Sequence, residues 1–246
     1  MAAVAGRPTR REQRREETLA EIKNLAVEQV AEGGPEAVSL TAVARAMSMS
    51  PAAIYRYFES RDALLADLVV ELYDSLADRL EAVPQAAAEG WFRAVATAYR
   101  QWALDNPNGY RLIFQTISGS GLDLAPERTI TASSRSMTVF LAALTALAPE
   151  RRQDPGGRRT PATKRGSATG LVELDRQLHA WAQRSHTSEL PPSILLLGLT
   201  AWTRIHGLIS LELGHHLAAT GVSAHLLYDA EVSTLITAAQ TGPERK

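Results

Sequence analysis

The chain has 246 residues, no cysteine, 45% hydrophobic and 22% charged residues and a formal net charge of −1. A chain of this length buries roughly 70% of its unfolded surface in one large or two smaller domains. Without cysteine it has no disulfide framework, no thiol catalysis and no cysteine zinc site. The near-neutral total conceals a basic start, in which Arg7, Arg10, Arg11, Arg14 and Arg15 stand against Glu12 alone in the first fifteen residues. Local charge of this kind, not the total, is what nucleic acid meets. No apolar run follows these arginines, as an export signal would require, so a cytoplasmic protein is expected.

Residues 1–14 contain Arg, Pro and Gly without apolar periodicity and are expected to form a flexible basic arm, lying on DNA or simply solvated. A first helix follows from about Arg15 to Glu32, with Leu19, Ile22, Leu25, Ala26 and Val30 as its buried stripe, and Gly33-Gly34-Pro35 ends it. Ser39 then caps a short helix whose Leu40, Val43, Ala44 and Met47 share one face. The pattern breaks at Ser48-Met49-Ser50, and Pro51 opens a second short helix at a position where its missing N–H costs nothing. Ile54 and Phe58 point back into the same small core, and Ser60 caps the next helix with Asp62 in its first turn.

That leaves Ala52, Ala53, Tyr55, Arg56 and Tyr57 facing outwards or grazing the turn. The set is poorly built for a core and well suited to a DNA major groove. Small residues let the backbone approach the bases, an arginine reaches guanine or phosphate, and tyrosine hydroxyls bond phosphate oxygens. The run VARAMSMSPAAIYRYFESRDALL closely resembles the DNA-binding domain of the tetracycline-repressor (TetR) family of bacterial regulators. The resemblance covers about the first quarter of the chain and implies a DNA-binding domain over residues 15–65. It implies that Ser39, Thr41, Tyr55, Tyr57 and Arg61 bond phosphates, while Ser50, Ala52, Ala53 and Arg56 lie nearest the base edges. One departure is that Ser48 stands where the family's turn usually carries glycine. If this position is left-handed, serine costs on the order of 1 kcal/mol.

The helix capped by Ser60 continues through Leu64, Leu65, Leu68, Leu72, Leu76 and Leu80 to about Val83, and Pro84 ends it. It is long enough to leave the DNA-binding core and act as a lever into a second domain. Further helices are expected from Ala86 to about Asn106, from Tyr110 to Ile117, from Pro126 to Leu147, from Leu171 to about Gln183, from Ile194 to Leu217 and from Ala224 to Ala239. Residues of about 150–170, with arginines, Gly156-Gly157 and two prolines, read as a flexible loop. The Ile194–Leu217 stretch has the length of a membrane span, but Arg204, His206 and Glu212 lie within it, so a buried helix and no membrane partner are expected. With no strand alternation the fold class is all-α: a helix-turn-helix domain joined by a long helix to a C-terminal helical bundle over residues 66–246.

Trp202 and His206, four apart and followed by Gly207, place an indole and an imidazole on one helix face. This WxxxHG element, with NPNGYRLIF at Asn106–Phe114, resembles a C-terminal ligand-binding domain of one TetR subgroup, which implies a small-molecule effector and a homodimer. The resemblance assigns dimerisation to the last two long helices. Trp91, Tyr99, Trp102, Tyr110, Phe114, Trp202 and His206 are the candidate effector-binding residues, each also explicable as plain core, and the few charges among them imply a mostly apolar or aromatic effector. The histidines are not spaced for a shared metal. Glu71, Asp74 and Asp78 share a helix face, but no second acidic motif accompanies them. No cofactor and no catalysis are expected, because phosphate loop, dinucleotide fingerprint and nucleophile elbow are all missing. The expected protein is a sequence-specific transcriptional regulator bound to a palindromic operator as a dimer, a repressor released by its effector. The alternatives are a constitutive DNA-binding protein and a helical binding protein that no longer binds DNA.

Overall fold

A computed structural model of the chain describes residues 9–116, 126–148, 165–184, 187 and 189–241. Among them there is no strand, and the architecture is the expected all-α one. Ten α-helices follow one another among the described residues: α1 (Arg10–Gly33), α2 (Leu40–Ala46), α3 (Pro51–Ile54), α4 (Arg61–Glu81), α5 (Ala88–Asp105), α6 (Pro107–Arg111), α7 (Pro126–Leu147), α8 (Arg165–Arg184), α9 (Pro192–Leu213) and α10 (Ala224–Thr241). A π-helical stretch, Leu112–Thr116, extends α6.

Helix α1 begins five residues earlier than its apolar stripe suggests. Thr9 accepts a hydrogen bond from the Glu12 N–H at 3.3 Å, and Glu12 accepts one from the Thr9 N–H at 2.7 Å. This reciprocal capping box satisfies two otherwise orphaned donors. Residues 10–14 of the expected arm are therefore helical, and residues 1–8 lie outside the described residues. Residues 165–170 of the expected loop are likewise helical: after Pro161 no proline stops α8, and glycine weakens a helix without breaking it. Residues 149–164 lie outside the described residues.

The chain divides into two compact units, Met1–Tyr73 with Asn106–Thr129 and Asp74–Asp105 with Ile130–Lys246. The boundary expected at residue 65 thus falls inside α4, and the segment after Asn106 returns to the first unit. Packing explains the return. Tyr110 is fully buried, Phe114 meets Tyr73 edge-on with ring centroids 5.8 Å apart, and a Cβ on Gly109 would sit 2.5 Å from Leu72 Cδ2. The glycine of Asn106-Pro-Asn-Gly is a close-approach residue as well as a turn former.

The core of the first unit gathers Ile22, Ala26 and Val30 of α1, Leu40, Val43 and Ala44 of α2, Ile54, Phe58, and Leu64, Leu65 and Leu68 of α4. In the second unit α5 buries Phe92, Val95, Ala96, Tyr99, Trp102 and Ala103, one wide helical stripe. Phe92 packs against Phe140 of α7 at 5.4 Å, and Leu141 of α7 occupies the space a side chain at Gly198 of α9 would need. Polar bonds complete this unit: the Tyr228 hydroxyl donates to the Ala96 carbonyl at 2.6 Å, and the Arg100 Nε–H donates to Glu212 at 2.8 Å.

The turn after α2 is a Schellman motif. The Met49 N–H donates to the Ala44 carbonyl at 2.8 Å and the Ser48 N–H to the Arg45 carbonyl at 3.1 Å, which requires a left-handed residue at Ser48 (φ 55°). The conditional expectation for this turn is met: serine holds the glycine geometry, at the steric cost of its Cβ. Ser48→Gly should therefore stabilise the chain by about 1 kcal/mol. Urea unfolding checks this; a lower midpoint for the glycine variant would contradict it.

Candidate nucleic-acid interface

Helix α2 starts on Ser39, whose Oγ accepts from the Ala42 N–H at 3.2 Å while its own N–H donates to Gln29 Oε1 at 2.9 Å. Thr41 is exposed one residue into the helix. Helix α3 is a single turn, with Ser50 extended at its N-cap and Pro51 at its first position. It continues as hydrogen-bonded turns: Arg56 N–H to the Ala53 carbonyl at 3.3 Å, then Tyr57 and Phe58 N–H to the Ile54 carbonyl at 2.9 and 3.1 Å. Buried Ile54 and Phe58 anchor this segment. Ser50, Ala52 and Arg56 are exposed, Tyr55 is 53% exposed, and Ala53 and Tyr57 are half-buried. The sequence places all six on one tight turn with their anchors turned away.

Two groups of cations stand out in the first unit. Lys23 bonds Glu71 at 2.5 Å and Asp67 at 3.3 Å, and Arg128 bonds Asp67 at 2.9 Å. Burial alone would lower the Lys23 pKa, yet the bond and charge of Glu71, with Asp67, raise it above its ordinary value. Arg61 also belongs to this neutralised set: its guanidinium bonds Glu36 at 2.9 Å and Asp62 at 3.0 Å, which holds it far up in its charged form. Two of its donor groups, Nε and Nη1, are thus engaged by carboxylates.

Among the described residues Arg10, Arg11, Arg14, Arg15 and Arg56 belong to the other set, with no ion pair. These five arginines, with Tyr57, line a cleft of about 830 Å³. Sequence reasoning missed the α1 arginines as part of a folded site because it set the start of α1 too late. The signal was present in Thr9-x-x-Glu12.

The acidic face of α4 is also accounted for. In the second unit Arg135 of α7 donates to Asp74 at 2.8 Å and to Asp78 and Glu81 at 2.7 Å. The carboxylates that superficially resemble a metal motif are salt-bridged, and no cluster of three or more metal-ligating side chains exists among the described residues.

The aromatic candidates split between the units. Tyr110 and Phe114, with ring centroids 5.0 Å apart, lie in the first. Trp91, Tyr99, Trp102, Trp202 and His206 lie in the second. There, Trp202 and His206 stack as expected, 5.0 Å apart at 23°, and His206 Nδ1 lies 3.4 Å from the Tyr99 hydroxyl. Trp102 is buried and its indole N–H donates to Ser75 Oγ at 3.1 Å. The buried Trp91 indole N–H has no acceptor.

A one-turn outward helix after a Schellman turn, seated on a three-helix core beside unpaired arginines, defines a helix-turn-helix DNA-binding protein. The comparisons name its family. Residues 22–68 match the family model "Bacterial regulatory proteins, tetR family", and residues 92–235 match "Tetracyclin repressor-like, C-terminal domain". The HTH-type transcriptional regulator Rv1816 of Mycobacterium tuberculosis is 28% identical over 240 residues, covering 92% of this chain and 94% of that protein. The solved structure of SCO4313 is 36% identical with a TM-score of 0.70, over 92% of this chain and 98% of its own. A tetR-family regulatory protein from Rhodococcus RHA1, 20% identical with a TM-score of 0.59 over 89% of this chain and 95% of its own, shares the fold. The chain belongs to the TetR family and is a DNA-binding transcriptional regulator.

Burial lowers the His206 pKa below its ordinary 6.5. The unfolded chain therefore takes up a proton, on acidification through that value, that the folded chain resists, and this contribution to stability falls as pH drops. The thermal midpoint should decline between about pH 7.5 and about pH 5.5, and His206→Gln should reduce that decline. An equal decline in both proteins would reject this role.

Proposed function

We propose that the chain is a homodimeric repressor that binds a palindromic operator and is released by a small, mostly apolar or aromatic effector. The observation that carries the DNA-binding surface is the set of arginines without carboxylate partners around the α3 turn. Positive charge left unneutralised on one face gains most from polyphosphate, because each phosphate met releases a condensed counterion. On this reading Arg56 reaches a base edge or phosphate, Ser50, Ala52 and Ala53 let the backbone close on the groove, and Tyr55, Tyr57, Ser39 and Thr41 donate to phosphates. Ser39 retains its hydroxyl proton for that purpose, since its cap uses only an oxygen lone pair.

One α3 turn spans few base pairs, so two symmetric heads make binding selective. The exposed Leu196 and Leu211 of α9 and Leu226 of α10 support those two helices as the dimer face. For the effector, the supporting observations are the stacked Trp202–His206 pair and the Trp91 indole N–H, whose burial without an acceptor costs about 1–3 kcal/mol that a ligand oxygen would recover. An effector that favours one arrangement of the second unit would bias α4, the helix both units share. A protein acting this way works in the cytoplasm.

A second reading, constitutive DNA binding without an effector, is favoured by Tyr99 and Trp102, which are buried and bonded as ordinary core residues. A broad apolar library that produces no thermal shift would support it.

The test of the DNA surface is selection from a random duplex pool at near-physiological salt, with Tyr55→Ala/Arg56→Ala in parallel. The expected outcome is a palindromic site enriched by the wild type alone. On that site Arg56→Ala should lose roughly 1–3 kcal/mol of binding in anisotropy titrations. Enrichment by both proteins alike would remove the α3 turn from the interface.

A further inference from the structure

The basic cleft contains one contact that its charge does not explain. Arg10, Arg11, Arg14 and Arg15 fall at i, i+1, i+4 and i+5 and so occupy one side of α1. Arg15 alone of these lies over an aromatic ring, its guanidinium carbon 5.2 Å from the centroid of Tyr57. This distance is within the range of a cation–π contact, and a planar guanidinium stacks where an ammonium cannot.

Tyr57 belongs to the segment that most needs an external constraint. Helix α3 has only four residues, and the backbone from Arg56 to Phe58 is held by three turn hydrogen bonds, one of them 3.3 Å long. Ile54 and Phe58 anchor its buried side. Tyr57 lies between these anchors and is half-buried, whereas Tyr55 and Arg56 stand exposed. The outer side of the segment thus meets α1 through the Arg15–Tyr57 contact.

We propose that Arg15 is a positioning residue for operator recognition: stacked on Tyr57, it sets the pose of the Ala53–Tyr57 turn, so that α1 governs discrimination between DNA sequences as well as adding charge. The proposal rests on reading the first unit as the DNA-binding surface. Its distinguishing consequence lies in the ratio of specific to non-specific binding. An arginine that only met a phosphate would weaken every duplex equally and lower the salt slope by about one. An arginine that orients the turn lowers operator affinity more than scrambled-duplex affinity.

The experiment is anisotropy titration of the full chain against its selected operator and a scrambled duplex of equal length, at several salt concentrations. The proteins are wild type, Arg15→Ala, Arg15→Lys, Tyr57→Leu and Arg15→Ala/Tyr57→Leu, each checked for an unchanged melting profile. Arg15→Ala and Tyr57→Leu should each reduce the operator-to-scrambled ratio by roughly 3- to 30-fold, the scale of a cation–π contact. The double variant should be no worse than the poorer single one, and Arg15→Lys, which keeps the charge, should recover little of the ratio. Equal losses on both duplexes with recovery by lysine, or additive single effects, would overturn the positioning role. Because Tyr57→Leu carries a folding risk, Arg15→Lys alone decides if that variant melts early. A wild type that fails to separate operator from scrambled duplex would overturn the DNA reading itself, and the positioning role with it.

Discussion

One face of helix α4 is acidic and is neutralised by its neighbours. Asp67, Glu71, Asp74, Asp78 and Glu81 alternate at spacings of four and three, a continuous acidic stripe opposite the apolar Leu64, Leu65, Leu68, Leu76 and Leu80. Like charges at these spacings destabilise an isolated helix. The structure meets the stripe with Lys23 of α1 and Arg128 in the first unit and with Arg135 in the second. The Arg128–Asp67 and Arg135–Asp74 bonds both join residues 61 apart in sequence, so α4 and α7 repeat the same pairing one heptad later. Such partly exposed bridges contribute about 0–1 kcal/mol each, so their effect is on register more than on stability, which comes from the leucines on the other face.

The same reasoning shows what was legible in the sequence. Apolar stripes, Ser39 and Ser60 as caps and Pro51 at the start of α3 all follow from local spacing, because each is decided within one turn of backbone, whereas the left-handed Ser48 is raised only by the family resemblance. The return of Asn106–Thr129 to the first unit was not legible. It depends on Gly109 meeting Leu72 and Phe114 meeting Tyr73, contacts between residues some 37 to 41 positions apart. The Arg61–Glu36 bond is a similar case, since its partners lie 25 residues apart. The start of α1 is legible in Thr9 and Glu12, a cap signal that precedes the apolar stripe by more than a turn.

Aromatic side chains in the second unit show why a helical bundle hides its ligand chemistry. Tryptophan and tyrosine fill cores and line pockets equally well; what separates the two uses is the fate of the polar atom on the ring. Trp102 has Ser75 and Tyr99 has His206, so both rings are bonded within the fold. Trp91 has burial without an acceptor, and burial lowers the His206 pKa below its ordinary value. The Trp91 indole N–H is the unspent hydrogen-bonding capacity of the set, and no periodicity in the sequence marks it out.

Charge distribution leads to the same conclusion for DNA. A net charge of −1 says little about affinity for a polyanion when many carboxylates are paired elsewhere with cations of the fold. In this chain the acidic stripe of α4 takes up Lys23, Arg128 and Arg135, and Glu36 and Asp62 take up Arg61. The arginines of the first two turns of α1 and Arg56 have no such partners among the described residues. Internal pairing therefore does more than hold helices in register. It engages Lys23, Arg61, Arg128 and Arg135 and leaves the arginines around the α3 cleft without carboxylate partners.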